Sequence, residues 1–113
     1  MAEWAENELA RIISEYKLDL LRVDHNISFR DYFTIRNGEC TSLRHIQAVY
    51  DMYRRLKRRF PDVIFENCAG GGARTDLGMM KNFNHTWVSD WQKAPRSVAV
   101  TNGMTMALPP ERV

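Results

Sequence analysis

The sequence has few of the features that identify a disulfide-stabilised, metal-binding or membrane-spanning protein. Its 113 residues include only two cysteines, Cys40 and Cys68, so at most one bridge can form and a disulfide framework is excluded. Neither cysteine belongs to a CxxC pair or lies near a His-x₃-His pair, so we expect no metal and no cofactor. No uncharged apolar run approaches the ~20 residues that cross a bilayer, so we expect no membrane partner.

The charge balance argues against a nucleic-acid-binding protein, and the first residues argue against a secreted one. The formal net charge is only +2. The basic run "YRRLKRRF" ends just before Pro61 on a predicted helix, where cations complement the helix dipole. A solvated helix face explains this run better than a phosphate-binding surface, so we expect no nucleic-acid partner. The chain begins with acidic residues and no apolar h-region, unlike a secretion signal, and we favour the cytoplasm as its compartment.

Apolar periodicity predicts alternating helices and strands. Helical spacing runs from Ala5 to Tyr16, about four turns, and again from Leu43 to Phe60, where Pro61 stops it. A short helix is expected within 98–108. Three apolar segments have the composition of strands: "LLRV" at 20–23, "DVIFEN" at 62–67 and "HTWVSDW" at 85–91. The first of these segments is a nearly continuous apolar run, which predicts a strand covered on both faces.

This alternation predicts an α/β fold built from parallel-strand βα units. Each predicted strand ends in polar residues, at Asp24, at 66–68 and at Asp90. Active sites of such folds lie at the carboxyl ends of the strands, as in a TIM (β/α)₈ barrel. That barrel takes ~250 residues, so the chain is either a small open sheet or part of a barrel.

The glycine run in "CAGGGARTD", residues 68–76, permits several interpretations. A P-loop needs a Lys-Ser or Lys-Thr pair after the glycines, and none follows Gly72. A dinucleotide fingerprint fits Gly70 and Gly72 but requires a third glycine where Thr75 stands. A flexible loop is the third interpretation and is not excluded, although the segment is short and rich in specific side chains.

Asp24 and Asp90 indicate a different chemistry. Two opposed carboxylates are what glycoside cleavage requires, one to protonate the leaving oxygen and one to attack or stabilise the sugar cation. The alternative for either aspartate alone is a helix cap or turn residue. The spacing of Asp24 and Asp90 in the sequence does not decide between a catalytic pair and two structural residues.

The motifs resemble those of the melibiase-type α-galactosidases, the glycoside hydrolase family that also contains raffinose and stachyose synthases. "FENCAGGGARTDLGM" and "WVSD" are similar to the family's ENCSGGGGRFD-like and WTSDN-like segments, and Cys68 and Asp90 lie 22 positions apart (90 minus 68), in agreement with the family. "RVDHN" stands where the family has a KWDMNR-like strand end. The resemblance runs from about Leu9 to Pro110.

The resemblance implies a role for each matching residue. Asp24 would be the nucleophile of a retaining hydrolase that forms a covalent glycosyl-enzyme, and Asp90 the acid/base. The residues implied to bind the substrate, an α-galactoside, are Arg22 and Asn26 at the sugar hydroxyls and Cys68, Gly70 and Gly71 along the pocket. Arg74 and Asp76 match positions near the same loop, where a structural ion pair is an equal alternative.

The chain also departs from the family pattern. Arg22 replaces a lysine, Val23 a tryptophan, His25 a methionine, and Trp91 an asparagine. We expect these changes to alter substrate preference more than hydrolase chemistry, since arginine and lysine are not interchangeable in a tight site.

The resemblance further implies that residues 1–113 form one partial (β/α)₈ barrel domain, about strands four to six and reaching toward seven, with no second domain. The missing barrel portion or a homo-oligomer would then cover the open sheet, and the chain alone would have little activity. A raffinose-synthase-type transglycosylase and a non-catalytic truncated fragment are the alternatives.

Overall fold

The computed structural model describes residues 2–24, 35–36 and 38–113. The elements in chain order are α1 (Ala2–Tyr16), β1 (Leu20–Asp24), β2 (Ile35–Arg36), β3 (Glu39–Cys40), α2 (Thr41–Arg59), β4 (Ile64–Cys68), α3 (Leu77–Met80), β5 (His85–Thr86), α4 (Arg96–Thr105) and a 3₁₀ turn (Pro110–Arg112).

The main sheet has the strand order β1–β4–β5, and both pairings are parallel. Asp24 lies opposite Cys68, and Glu66 lies opposite His85. Strands β2 and β3 form a separate antiparallel pair. The prediction of an α/β fold with parallel βα units is therefore confirmed.

The core lies between this sheet and helices α1 and α2. Met52, Tyr53 and Leu56 form the buried stripe of α2, at the spacing that places side chains on one helix face. Tyr53 packs against Phe83 with ring centroids 4.7 Å apart, and Phe65 of β4 is fully buried in the same cluster. These contacts cover the sheet from one side.

On the other face the side chains of β1 are exposed, so the prediction that β1 is covered on both faces is wrong. Only Val23 is buried in β1. Leu20 is 44% exposed, and its partner across the sheet, Ile64, is 41% exposed. Side chains alternate between faces along a strand, so Arg22 and Asp24 lie on the same open face as Leu20.

Other differences from the sequence prediction concern ends and connections. The third strand was expected to reach Asp90, but β5 ends at Thr86, so Asp90 stands in the loop that precedes α4. The connection between β1 and α2 contains β2 and β3. Within the described parts of the chain, no helix is both long and apolar enough to cross a membrane.

Candidate active site

The ends of β1 and β4 bring Asp24 to the glycine run. Asp24 and Cys68 are the last paired residues of the two strands. The loop that follows β4 turns back at once, and the backbone N–H of Gly70 donates to Oδ1 of Asp24 at 3.3 Å. Gly70 has a φ of +53°, a conformation that glycine adopts at little cost. A left-handed glycine thus aims a backbone donor at the candidate nucleophile.

The next glycine meets the loop that carries Asp90. A Cβ atom on Gly71 would lie 2.9 Å from the Cα atom of Ser89 and 3.2 Å from the backbone nitrogen of Asp90. A Cβ on Gly72 would lie 2.7 Å from the carbonyl oxygen of Val88. The glycines are therefore bare because two loops of this chain touch there, and contact of Gly70 or Gly71 with a sugar remains a prediction.

Hydrogen bonds hold the loop around Asp90. The indole Nε1–H of Trp87 donates to Oδ1 of Asp90 at 3.1 Å. The hydroxyl of Ser89 accepts from the backbone N–H of Trp91 at 3.1 Å. Asp90 is exposed, so its carboxylate is oriented by the indole while staying accessible to solvent.

Arg22 lies at the centre of a polar row on the open face of the sheet. Its Nη2 donates to Sγ of Cys68 at 3.3 Å, and its Nε lies 3.5 Å from Oε1 of Glu66. The guanidinium carbon sits 4.2 Å from the centroid of the Trp87 ring, within the range of a cation–π contact. The bond to Cys68, together with the charges of Glu66 and Asp24, raises the pKa of Arg22. An arginine side chain stays protonated in proteins, so this positive charge is permanent.

Glu66 connects Arg22 to the third strand. Its Oε2 lies 2.6 Å from Nε2 of His85, the residue opposite it in the sheet. Glu66, His85 and Trp87 were not predicted as site residues. Strand alternation would have found Glu66 and His85, because Glu66 stands two residues before Cys68 on the same strand face and pairs with His85.

A layer of buried and half-buried polar side chains supports the glycine loop. Arg74 donates from Nη2 to the carbonyl of Cys68 at 2.9 Å and from Nε to Oδ1 of Asn67 at 3.2 Å, and burial lowers the pKa of Arg74. The side-chain amide of Asn67 donates to the hydroxyl of Thr86 at 3.1 Å. These bonds tie the loop to β4 and β5.

Asp76 has a separate structural role. Its Oδ1 accepts from the backbone N–H of Met79 at 2.8 Å, which caps α3, and from the hydroxyl of Tyr50 at 2.6 Å. Burial and this bond raise the pKa of Tyr50 to about 12. Asp76 thereby fixes α3 to α2, while Arg74 serves the glycine loop.

The structure brings most of the predicted site residues into one row of contacts. Gly70 bonds to Asp24, and Gly71 packs against the backbone of Asp90. Arg22 bonds to Cys68. Asn26 lies outside the described residues. Across residues 2–24, 35–36 and 38–113, no three His, Cys, Asp or Glu side chains group in a way that could hold a metal ion.

An α/β segment with carboxylates beside the carboxyl ends of parallel strands is typical of (β/α)₈ barrel enzymes. The family model described as Melibiase matches residues 2–113, and the chain belongs to that family. α-Galactosidase 2 of Pediococcus pentosaceus is 33% identical over 107 residues, covering 90% of this chain and 15% of the relative. α-Galactosidase C of Emericella nidulans is 37% identical over 108 residues, 91% of this chain and 14% of the relative.

Solved structures agree with the fold. The chain matches the α-galactosidase from Lactobacillus brevis with a TM-score of 0.76 and 30% identity, covering 92% of this chain and 14% of that one. It also matches an α-galactosidase from Geobacillus stearothermophilus in complex with raffinose, with a TM-score of 0.81 and 21% identity, over 93% of this chain and 15% of that one. This chain therefore spans about one seventh of the relatives and has the fold of a (β/α)₈ barrel segment.

Proposed function

We propose that residues 1–113 belong to the catalytic barrel of a retaining α-galactosidase and supply both of its catalytic carboxylates. One observation carries this proposal. Two consecutive glycines adjoin the two aspartates. The N–H of Gly70 donates to the carboxylate of Asp24, and Gly71 lies so close to Asp90 that an added Cβ would stand 3.2 Å from the backbone nitrogen of Asp90. This supports the proposal because a catalytic carboxylate pair must act on one sugar, and both aspartates adjoin the same loop.

The reaction would proceed by double displacement. The carboxylate of Asp24 attacks the anomeric carbon, the bond to the leaving oxygen breaks, and Asp90 gives its proton to that oxygen. Water then attacks the same carbon, Asp90 takes the proton of the water, and the bond to Asp24 breaks. The configuration of the sugar is inverted twice and thus retained.

Recognition of the sugar would fall to Arg22, Asn26, Cys68 and the bare backbone at Gly70 and Gly71. α-Galactosides are the proposed substrates because the family's named members are α-galactosidases and a structural relative binds raffinose. Arg22 is engaged with Cys68, Glu66 and Trp87, so only its remaining N–H groups would face a sugar hydroxyl.

We further propose that the chain alone has little activity. Its main sheet has three strands in the described residues, and Leu20 and Ile64 stand exposed on the face that bears the site. The family's remaining barrel strands would cover that face and complete the pocket. Robust turnover of an aryl α-galactoside by the purified 113-residue chain would refute this part.

The test uses the full-length gene product that contains residues 1–113, with Asp24→Ala and Asp90→Ala assayed on an activated aryl α-galactoside in azide. Azide should attack the substrate directly in Asp24→Ala and give the β-galactosyl azide. In Asp90→Ala it should attack the glycosyl-enzyme and give the α-galactosyl azide. Unchanged turnover in Asp24→Ala would refute the assignment of Asp24 as the nucleophile.

Analysis of the products with and without a sugar acceptor separates hydrolysis from transfer. A hydrolase releases galactose in both conditions. Accumulation of a longer saccharide only when the acceptor is present would identify a transglycosylase of the raffinose-synthase type, with the same two aspartates at work.

A further inference from the structure

We propose that Trp87 is a positioning residue, which orients the carboxyl group of Asp90 so that its proton faces the leaving group. This inference rests on the proposed function. It starts from one contact, the hydrogen bond of 3.1 Å from the indole Nε1–H of Trp87 to Oδ1 of Asp90. Asp90 stands in a loop beyond the end of β5, so a strand does not hold its side chain.

The bond favours one carboxyl oxygen as the carrier of the proton. An indole N–H only donates, so Oδ1 of Asp90 is the acceptor. In a protonated carboxyl group the carbonyl oxygen accepts a hydrogen bond better than the hydroxyl oxygen does, so the indole favours the proton on Oδ2. The indole thus leaves Oδ2 to face the leaving oxygen and keeps Oδ1 as its own acceptor. Without the bond, either oxygen could hold the proton, and the carboxyl group could rotate.

The indole itself is held in place from the other side. The guanidinium of Arg22 lies over the ring at 4.2 Å. Arg22 is in turn fixed by Cys68 at 3.3 Å and Glu66 at 3.5 Å. A continuous set of contacts therefore runs from β4 through Arg22 and Trp87 to Asp90. A rigid sheet, through two side chains, sets the orientation of a carboxyl group that lies on a loop.

The test compares two α-galactosides whose leaving groups differ in their need for a proton. A dinitrophenolate leaves without protonation, whereas the sugar of raffinose or melibiose does not. The variants are Trp87→Phe and a second in which benzothienylalanine at position 87 keeps the bicyclic shape and replaces the N–H with sulfur. Both are made in the full-length gene product that contains this chain.

We expect kcat/KM on raffinose and melibiose to fall about 10- to 100-fold, the scale of a misaligned general acid. On the dinitrophenyl galactoside kcat/KM should stay within about 3-fold of wild type, while kcat and KM fall together because Asp90 also assists the second step. Trp4→Phe, an indole change on an exposed residue of α1, should leave all values unchanged.

Two results would overturn the positioning role while the proposed function stands: equal losses on both substrate classes, or no loss in the benzothienylalanine variant. The proposed function has its own control, since Asp90→Ala should show the same leaving-group pattern more strongly. If Asp90→Ala lacks that pattern, the acid/base assignment is refuted and the role of Trp87 falls with it.

Discussion

Gly71 is under two constraints, a left-handed backbone conformation and the close approach of the loop that carries Asp90. Replacing Gly71 by alanine tests both. Gly71 has a φ of +82°, which an L-residue adopts at a cost. A Cβ atom there would also lie 2.9 Å from the Cα of Ser89 and 3.2 Å from the nitrogen of Asp90. Both neighbours are backbone atoms, so no flexible side chain can give way. The loop after β4 or the loop that carries Asp90 must move.

Gly38 supplies a matched control for the backbone conformation. Its φ is +77°, and a Cβ atom there would meet nothing within 4 Å. Gly38→Ala should therefore cost only the left-handed conformation, about 1–2 kcal/mol. Gly71→Ala should cost the same amount plus about 1–3 kcal/mol for a backbone overlap of this kind. The excess of Gly71→Ala over Gly38→Ala measures the contact between the two loops.

Thermal unfolding of the 113-residue chain, monitored by circular dichroism, measures this excess. For a domain of this size, 1 kcal/mol corresponds to about 4 °C in Tm, so Gly71→Ala should melt about 4–12 °C below Gly38→Ala. Protein concentration is kept constant across the variants, because association would shift the apparent stability. Equal Tm values for the two variants would refute the close approach and, with it, the observation that carries the proposed function.

Two further predictions concern stability. Burial raises the pKa of Tyr53 to about 12, so the folded state favours the neutral phenol and its stability falls between about pH 10 and 12. Each pKa unit is worth about 1.4 kcal/mol, and Tyr53→Phe should make the fall in urea-unfolding free energy shallower; identical slopes would contradict this. Gly103→Ala, inside α4 where a Cβ meets nothing within 4 Å, should stabilise the chain by about 0.5–1 kcal/mol, and a lower Tm would contradict it.

Local signals were enough to predict the scaffold. Helix α2 has a continuous apolar stripe and a proline two residues after its last residue, Arg59, so its type and end follow from spacing and proline chemistry. Short apolar segments between helices similarly predict a parallel sheet. Asp24 was expected at the end of its strand because polar residues follow Val23 at once, and it is the last described residue of β1.

The faces of β1 and the length of β5 could not be predicted in this way. Leu20, Leu21 and Val23 read as a strand buried on both sides, yet the exposed Leu20 lies on the face that Arg22 and Asp24 share. An apolar run indicates that its side chains prefer burial, but it does not indicate which part of the protein, or which other chain, covers them. The β-forming residues Trp87 and Val88 extend the apparent strand, but the chain turns away to meet the glycine loop, a partner distant in sequence.

The glycine run therefore has a more specific meaning than a bare surface for a ligand. Gly70 and Gly71 hold Asp24 and the loop of Asp90 through contacts of their backbone atoms. The indole N–H of Trp87 adds a hydrogen bond to Asp90, and its ring lies under the guanidinium of Arg22.

The ionisable groups form a neighbouring set, Arg22, Glu66 and His85. Arg22 of this set lies over the ring of Trp87, the residue that bonds to Asp90. In the proposed positioning role of Trp87, Arg22 therefore contributes both a charge and a contact that orients Asp90. A substitution such as the family's lysine at Arg22 should change both the charge distribution of this set and the contact with Trp87, whereas the hydrogen bond on Asp24 and the glycine contact at Asp90 depend on other residues.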